Sequence, residues 1–198
     1  MFILGLTGSI AMGKSTTAKL FAEEGVPVHD ADAAVHRLYE GEAAPKIEAA
    51  FPGTTRGGKV DRGLLGQRIA GDPQALKLLE SIVHPLVGEV RDRFLADAEA
   101  TGAKVAVLDI PLLFETGGER RVDAVVVASA PAEMQRARLR ERGLPADRLE
   151  ALIARQMPDA EKRRRADFVV DTSQGVEDAH RQVREILAAV AKMPKKQN

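Results

Sequence analysis

The chain has 198 residues, of which 44% are hydrophobic, so it is long and apolar enough to bury one substantial core. Its 29 basic and 29 acidic side chains balance, and no global positive field favours nucleic acid or an anionic membrane surface. The absence of cysteine excludes a disulfide framework, a thiolate zinc site and a cysteine nucleophile.

Short apolar runs without alternation predict strands that are covered on both faces. These runs are Phe2–Leu6, Val26–Val28, Val105–Leu108, Ala124–Ala128 and Phe168–Val170. Helical patterns lie between and after them, at Ser15–Glu24, Pro131–Arg142, Ala146–Arg155 and Val176–Lys192. The alternation of strand and helix predicts an α/β fold, with a parallel sheet between two layers of helices.

One connection is much longer than the others. About 75 residues separate the second predicted strand from the third, whereas a crossover needs only a dozen or more. Residues 31–104 hold helical patterns at Pro45–Phe51, Arg62–Ile69, Pro73–Val83 and Leu86–Ala100, and a turn-rich patch at Pro52–Gly58. We interpret this insertion as a helical subdomain for a second substrate. The alternative is an insertion that only thickens the fold.

Residues 8–15 match the phosphate-loop pattern GxxxxGK[ST] between a predicted strand and a predicted helix. Glycines let the backbone wrap closely, so that N–H groups converge on phosphate oxygens at the positive end of the helix. Lys14 is then placed to neutralise the β- and γ-phosphates of ATP, the Ser15 hydroxyl to ligate Mg²⁺, and Thr16 to reach the α-phosphate. The predicted ATP-binding residues of the loop are Gly8, Ser9, Ile10, Ala11, Met12, Gly13, Lys14, Ser15 and Thr16.

The chain lacks the marks of a GTPase switch. Its only asparagine is Asn198, so no guanine-reading NKxD motif exists, and Asp109 is followed by Ile-Pro-Leu rather than by a DxxG pattern. These absences favour a phosphotransferase, an ATP-dependent kinase that acts on a small molecule.

Two aspartates follow predicted strands, where open α/β sheets place their ligands. Asp32 is the candidate general base that orients an attacking hydroxyl and takes its proton, and the alternative is a cap of the next helix. His36 lies four residues later and shares the helix face of Asp32 if the segment is helical. Asp109 is a candidate for holding Mg²⁺ through water, with substrate contact as the alternative.

A local excess of arginine breaks the balanced charge of the chain. Nine arginines and five acids lie between Arg136 and Arg165. Arginine suits phosphate oxygens because its planar fork donates two hydrogen bonds. Arg138 and Arg142 lie four residues apart, which places them on one helix face.

The sequence closely resembles the dephospho-coenzyme A kinases from about residue 2 to residue 175. The resemblance is carried by the phosphate loop with its Gly5-Leu6-Thr7 lead, Asp30-Ala31-Asp32 with His36, His84-Pro85, Asp109-Ile110-Pro111-Leu112-Leu113-Phe114-Glu115, and Gln156 before Ala166-Asp167. It implies a single P-loop kinase domain over residues 1–198, of three layers, with sheet order 2-3-1-4-5. It also implies a CoA-binding subdomain at residues 31–104 and a lid at 132–165.

The resemblance further implies transfer of the ATP γ-phosphoryl group to the ribose 3′-hydroxyl of dephospho-CoA. Asp32, Lys14 and Arg142 are then the catalytic residues, and Arg138 and Arg142 bind ATP from the lid. The candidates for the acceptor are Thr7, Asp32, His36, His84, Asp109, Leu113 and Phe114, although Leu113 and Phe114 could equally be core. Ser15 and Asp109 are the candidates for the metal.

We therefore expect Mg²⁺ with ATP as cofactor, ATP and dephospho-CoA as substrates, and no nucleic acid or membrane partner. The short apolar run after Met1 has no basic lead, so we expect a cytoplasmic protein. We also expect a monomer, with weak self-association as the alternative. The alternatives are a kinase for a nucleoside monophosphate, shikimate or gluconate, and a regulator that binds ATP without transferring phosphate.

Two positions depart from the family pattern. Ala11 stands where glycine is usual, and a positive φ there would cost of order one kcal/mol. Asp171-Thr172-Ser173 replaces an asparagine-bearing turn beside the expected adenine site.

Overall fold

The computed structural model describes residues 1–141, 143, 153–154 and 156–196. Its strands are β1 Phe2–Thr7, β2 Val28–Asp30, β3 Thr55–Arg56, β4 Lys59–Val60, β5 Val105–Asp109, β6 Ala124–Ser129 and β7 Phe168–Asp171. Its helices are α1 Lys14–Glu23, α2 Ala31–Tyr39, α3 Ala43–Ala50, α4 Arg62–Ile69, α5 Pro73–Ala100, α6 Ala132–Glu141, α7 Asp159–Arg165 and α8 Val176–Val190. A short 3₁₀ helix covers Gly118–Arg121.

A five-stranded parallel sheet has the order β2-β5-β1-β6-β7. Counted along the chain within this sheet, the order is 2-3-1-4-5, which confirms the predicted fold. Strand β1 is central and pairs in parallel with β5 and with β6, so that Leu6 lies beside both Asp109 and Val126. The carboxyl ends of these strands therefore meet at one edge of the sheet, where open α/β folds bind ligands.

The first compact unit comprises residues 1–29 and 98–198. Its core cluster joins apolar side chains of the sheet to Leu20 and Phe21 of α1 and to one face of α8. The buried residues of α8, Ala179, Val183, Ile186 and Val190, follow the spacing of a helix stripe. Burying such side chains stabilises the fold by about 1.5–3 kcal/mol for each large one. The phosphate loop is mounted on this unit.

The second compact unit is Asp30–Asp97. Helices α2 to α5 enclose a separate apolar cluster that includes Leu38, Ile47, Leu65 and Leu79. The turn-rich patch of the sequence proves to contain a hairpin, in which β3 and β4 pair antiparallel across Gly57 and Gly58. Both glycines have positive φ, 56° and 77°, as a type I′ turn requires.

Helix α5 is one helix of 28 residues, where the sequence predicted two helices on either side of Pro85. A break is expected at Pro85 because proline lacks an N–H and its ring clashes with a backbone carbonyl in the preceding helical turn. The helix continues because Val83 and Leu86 flank the proline and are both buried in the second core. Tertiary packing has overridden the local preference.

Two other boundaries differ from expectation. The second strand is Val28–Asp30 rather than Val26–Val28. It ends at Asp30, which is the N-cap of α2, and the Ala33 N–H donates to Asp30 Oδ1 at 2.9 Å. Most of the predicted helix Ala146–Arg155 lies outside the described residues. Over the residues that are described, no helix combines the length and the apolar character that a membrane span needs.

Candidate active site

The phosphate loop, residues 8–15, joins β1 to α1 and needs its two flanking glycines for space. A Cβ on Gly8 would lie 2.6 Å from the Ala128 carbonyl oxygen, and one on Gly13 would lie 2.8 Å from the Thr172 side chain. Gly13 also has a φ of 90°, which other residues rarely adopt. The motif glycines are thus required by contacts with β6 and with the segment after β7.

Ala11 has a φ of 60° and is the one non-glycine residue with positive φ in the described part of the chain. The left-handed conformation costs an L-residue about 1–2 kcal/mol. The strain expected from the alanine in the loop is therefore present. The surrounding contacts must hold the peptide in this conformation.

Three consecutive loop carbonyls accept hydrogen bonds from side chains outside the loop. Gln135 Nε2 donates to Ile10 O at 2.8 Å, and Arg138 Nη1 donates to Ala11 O at 3.2 Å. Thr172 Oγ1 donates to Met12 O at 2.9 Å. Gln135 and Arg138 are three residues apart on α6, so one helix face supplies two of the donors.

Further bonds tie this cluster together. Arg138 also donates to Thr172, through Nη1 to Oγ1 at 3.0 Å and through Nη2 to the carbonyl oxygen at 2.7 Å. Gln156 Oε1 accepts from the Ile10 N–H at 2.9 Å. These side chains bond the carbonyls and one N–H of the loop from outside and fix the shape of the loop around the strained Ala11. They act as positioning residues for it.

Lys14, the first residue of α1, forms an ion pair with Asp109 at the end of β5. The distance from Lys14 Nζ to Asp109 Oδ1 is 2.6 Å, and Asp109 is only 3% exposed. Without this pairing each charge would bear a large desolvation cost. Thr7, at the end of β1, donates its hydroxyl to the Pro111 carbonyl at 2.9 Å. The structure thus places Thr7, Lys14 and Asp109 at the same edge of the sheet.

The loop offers donors that suit a magnesium-bound triphosphate. Ser15 and Thr16 are exposed, and the buried Ser9 hydroxyl finds no hydrogen-bond partner among the described residues. Those residues also contain no group of three or more His, Asp or Glu side chains that could hold a metal by themselves. This composition fits Mg²⁺, which is usually bound through one or two protein oxygens together with substrate phosphates and water.

A cavity of about 310 Å³ adjoins the loop. It is lined by Ala11, Gly13, Thr16, Arg138, Thr172, Gly175, Val176 and Ala179. Thr172, which departs from the family pattern, therefore lies in the wall of this cavity as well as in the support of the loop.

A second ion pair joins Lys162 of α7 to Glu115, which lies in the segment that follows β5. Lys162 is fully buried and its Nζ lies 3.0 Å from Glu115 Oε1. Burial raises the pKa of Glu115, but the Met157 N–H and the Lys162 ammonium lower it more, so the pKa lies below its usual value. Lys162 also donates to the Pro111 carbonyl at 3.2 Å. The pair anchors α7 to this segment.

The other predicted site residues of the first unit differ in whether they lie in the core, at the phosphate loop or outside the described residues. Leu113 is fully buried and Phe114 is 5% exposed, with the Arg165 guanidinium 4.6 Å from the Phe114 ring centroid. Their surroundings are those of core residues, and their contact with substrate stays a prediction. Arg138 lies against the loop, as described above. Arg142 lies outside the described residues.

The second unit contains Asp32, His36 and His84. Asp32 is exposed in the first turn of α2, and Asp30 rather than Asp32 accepts the capping hydrogen bond. The capping alternative for Asp32 is therefore wrong. His36 is exposed, with its Nε2 3.9 Å from Glu40 Oε1, and His84 is exposed on α5.

Sequence reasoning missed the supporting side chains of the loop, namely Gln135, Thr172 and Gln156, and the buried Lys162. The sequence indicates Gln156 only as a residue that carries the family resemblance, and Thr172 only as a departure from the family pattern. A glutamine amide both donates and accepts, which suits it to a peptide group. No spacing rule, however, connects residue 10 to residues 135 and 156, or residue 12 to residue 172.

The chain resembles known proteins throughout its length. The family model described as dephospho-CoA kinase matches residues 2–178. A dephospho-CoA kinase of Bradyrhizobium diazoefficiens is 68% identical over 197 residues, which are 99% of each chain. The crystal structure of TT1252 from Thermus thermophilus is 37% identical, with a TM-score of 0.85, over 96% of this chain and 97% of that one. A dephospho-CoA kinase from Campylobacter jejuni shares the fold at 23% identity, with a TM-score of 0.64, over 95% of this chain and 96% of that one.

Proposed function

The chain belongs to the dephospho-CoA kinase family and is therefore a kinase, and we propose that it transfers the γ-phosphoryl group of ATP to the 3′-hydroxyl of dephospho-CoA. The products are ADP and coenzyme A. The observation that carries the proposal is the preformed phosphate loop, with Lys14 paired to Asp109 at its base and three carbonyls held from outside.

The donor side of the reaction uses the loop. We propose that Lys14 exchanges Asp109 for the β- and γ-phosphates when ATP binds, so that its ammonium neutralises charge on the transferred group. Ser15 and, through water, Asp109 would hold Mg²⁺. Bound Mg²⁺ withdraws charge from the phosphate oxygens during transfer. Asp109 would thus keep a cation beside it in both states, which its burial requires.

The acceptor side uses Asp32. Its exposed carboxylate would accept a hydrogen bond from the 3′-hydroxyl of dephospho-CoA and take the proton as the bond from O3′ to the γ-phosphorus forms. The bond between that phosphorus and the bridging oxygen of ADP breaks in the same step. We assign residues 31–104 to acceptor binding, with His36 and His84 as further candidate contacts.

The lid is assigned to residues 132–165. Arg138 already contacts the phosphate loop, and Arg142 is proposed to neutralise charge that develops in the transition state. A lid that closes over the nucleotide would also exclude water, which competes with the 3′-hydroxyl for the phosphoryl group.

A coupled assay for ADP across dephospho-CoA, AMP, shikimate and gluconate tests the proposal. We expect ADP to form rapidly with dephospho-CoA alone, and the product to carry its new phosphate on the 3′ position by ³¹P and ¹H NMR. Preference for another acceptor would replace dephospho-CoA as the substrate. ADP formation that is independent of every acceptor would show that the chain is not this kinase.

A further inference from the structure

The carbonyl of Pro111 lies two residues beyond Asp109, the buried carboxylate at the end of β5. It accepts two hydrogen bonds from side chains, from Thr7 Oγ1 at 2.9 Å and from Lys162 Nζ at 3.2 Å. A backbone carbonyl has two lone pairs and proline has no N–H, so these bonds use the whole hydrogen-bonding capacity of the residue. The position of Pro111 is therefore fixed by two donors, one on β1 and one on α7.

The backbone around Asp109 has little freedom. Asp109 lies opposite Leu6 in the parallel ladder, and the next N–H, that of Ile110, donates to the Leu6 carbonyl at 2.9 Å. The ring of Pro111 limits its own φ to about −65° and restricts the residue before it as well. The strand that carries the carboxylate is thus held by the ladder on one side and by the two donors to Pro111 on the other.

Helix α7 presents Lys162 from a fixed position. The first residue of the helix, Asp159, accepts a hydrogen bond from the Ser129 hydroxyl at the end of β6, at 2.7 Å. The ammonium of Lys162, which is fully buried, also pairs with Glu115 Oε1 at 3.0 Å. Lys162 therefore bridges the two ends of the segment Pro111–Glu115 and ties both of them to one helix.

Stability alone is a weak reason for a buried lysine at this place. The desolvation of two buried charges offsets much of their attraction, and apolar side chains of similar volume often stabilise a protein at least as well. An apolar side chain could not, however, donate a hydrogen bond to the Pro111 carbonyl. The contact that is specific to Lys162 is the one that fixes the backbone beyond Asp109.

We propose that Lys162 is a positioning residue for Asp109, and that it acts on metal binding by fixing the Pro111 carbonyl. The inference rests on the proposed function, in which Asp109 holds Mg²⁺ through water. Removing a group that orients a metal ligand typically costs about 10- to 100-fold in metal affinity or activity. In this role Lys162 touches neither the metal nor the nucleotide, so its whole contribution passes through Asp109.

The test measures metal binding apart from turnover. Calorimetry gives the Kd of a non-hydrolysable ATP analogue for each variant, once with Mg²⁺ and once with EDTA. Lys162→Met should raise the Kd about tenfold with Mg²⁺ and leave it within about twofold in EDTA. Lys192→Met, at an exposed lysine of the same unit, is the control and should match the wild type in both. A side chain that only stabilised the fold would change the melting temperature and not the ratio of the two Kd values.

Thr7→Val tests the same carbonyl without disturbing a buried charge, so it decides the question if Lys162→Met folds poorly. It removes the other donor to Pro111 and should raise the Kd with Mg²⁺ only. Thr7→Ser keeps the hydroxyl and should restore the affinity. A double-mutant cycle with Asp109→Asn tests the route of the effect, because Lys162→Met should then cause no further rise in the Kd with Mg²⁺.

Three outcomes would contradict the inference. The first is a wild-type ratio of Kd values in both Lys162→Met and Thr7→Val, which leaves the proposed function standing if the wild type phosphorylates dephospho-CoA. The second is a full effect of Lys162→Met in the Asp109→Asn background, which would mean that the two residues act independently. The third is a wild-type Kd that does not depend on Mg²⁺, which removes the metal role of Asp109. A wild type that does not phosphorylate dephospho-CoA overturns the function itself.

Discussion

Lys14 Nζ lies 2.6 Å from Asp109 Oδ1, so the phosphate-loop lysine and the carboxylate at the end of β5 neutralise each other. The same lysine therefore has two roles. It is proposed to neutralise the charge of the phosphates during catalysis, and it compensates the charge of the buried Asp109 carboxylate. Effects on activity and on stability can therefore be separated.

Lys14→Met should lower kcat by about three orders of magnitude or more, because the transferred phosphoryl group loses its main cationic contact. It should also reduce stability, because Asp109 is left buried without its cation. The double variant Lys14→Met with Asp109→Asn should regain stability in urea unfolding but remain inactive. Lys19→Met, an exposed lysine on the same helix, is the control for both measurements. Substantial turnover by Lys14→Met would remove this lysine from the mechanism.

Asp32→Asn should reduce kcat with dephospho-CoA by several orders of magnitude and leave ATP affinity within about twofold, if the carboxylate takes the proton of the acceptor. Stability should not change, because Asp32 is exposed and does not cap α2. Asp97→Asn, at another exposed aspartate of the second unit, serves as the control. Near-normal turnover by Asp32→Asn in single-turnover experiments would assign the base elsewhere.

Thr172→Val should weaken nucleotide binding about tenfold, because it removes the donor to Met12 O and one acceptor of Arg138. The rise should appear in KM for ATP and in Kd for ADP, and KM for dephospho-CoA should stay the same. Thr172→Ser keeps the hydroxyl and should restore most of the affinity. Equal ATP affinity for the valine and serine variants would show that the hydroxyl does not position the loop.

Gly13→Ala and Gly25→Ala form a matched pair for backbone strain, with φ values of 90° and 77°. A Cβ on Gly25 meets nothing within 4 Å, so that variant should lose only about 1–2 kcal/mol of unfolding free energy for its left-handed conformation. A Cβ on Gly13 would lie 2.8 Å from Thr172, and the loss should be clearly larger. Chemical denaturation of both variants measures the difference. Equal losses would contradict the close approach of Thr172 to the loop.

Glu115→Gln should destabilise the protein most at neutral pH. The pKa of Glu115 is lowered in the folded state, so its pairing with Lys162 stabilises fully above about pH 4.3, the usual glutamate value, and is lost as the pH falls through the lowered pKa. Breaking a buried ion pair typically costs about 3–5 kcal/mol of unfolding free energy. At pH 7 the loss in Glu115→Gln should be somewhat smaller, because the Glu115 side chain is 20% exposed.

The gap in unfolding free energy between Glu115→Gln and the wild type should narrow below about pH 4.3. Urea unfolding at constant ionic strength measures this gap. Glu23→Gln, at an exposed residue of α1, should show no such dependence. A gap that stays constant from pH 7 to pH 3 would mean that the charge of Glu115 contributes nothing.

The local signals of the sequence were sufficient where local physics decides the structure. Unbroken apolar runs identified four of the five strands of the parallel sheet and overlapped β2 only at Val28. Arg62–Ile69 was predicted with the bounds that α4 has. The phosphate loop was evident because its glycines, lysine and serine must be close together in the chain to surround a phosphate. Pro85 misled the same reasoning, because its local preference is weaker than the packing of Val83 and Leu86 in the second core.

Tertiary structure alone decided what surrounds the loop. The carbonyls of Ile10, Ala11 and Met12 are held by Gln135, Arg138 and Thr172, which are more than 120 residues away in the chain. The pairing of Tyr39 with Arg62 and of Glu115 with Lys162 likewise depends on how helices meet. Hydrogen bonds and ion pairs between distant residues have no periodicity that a sequence can display, because they arise only when the packed core has fixed the relative positions of the elements that carry them.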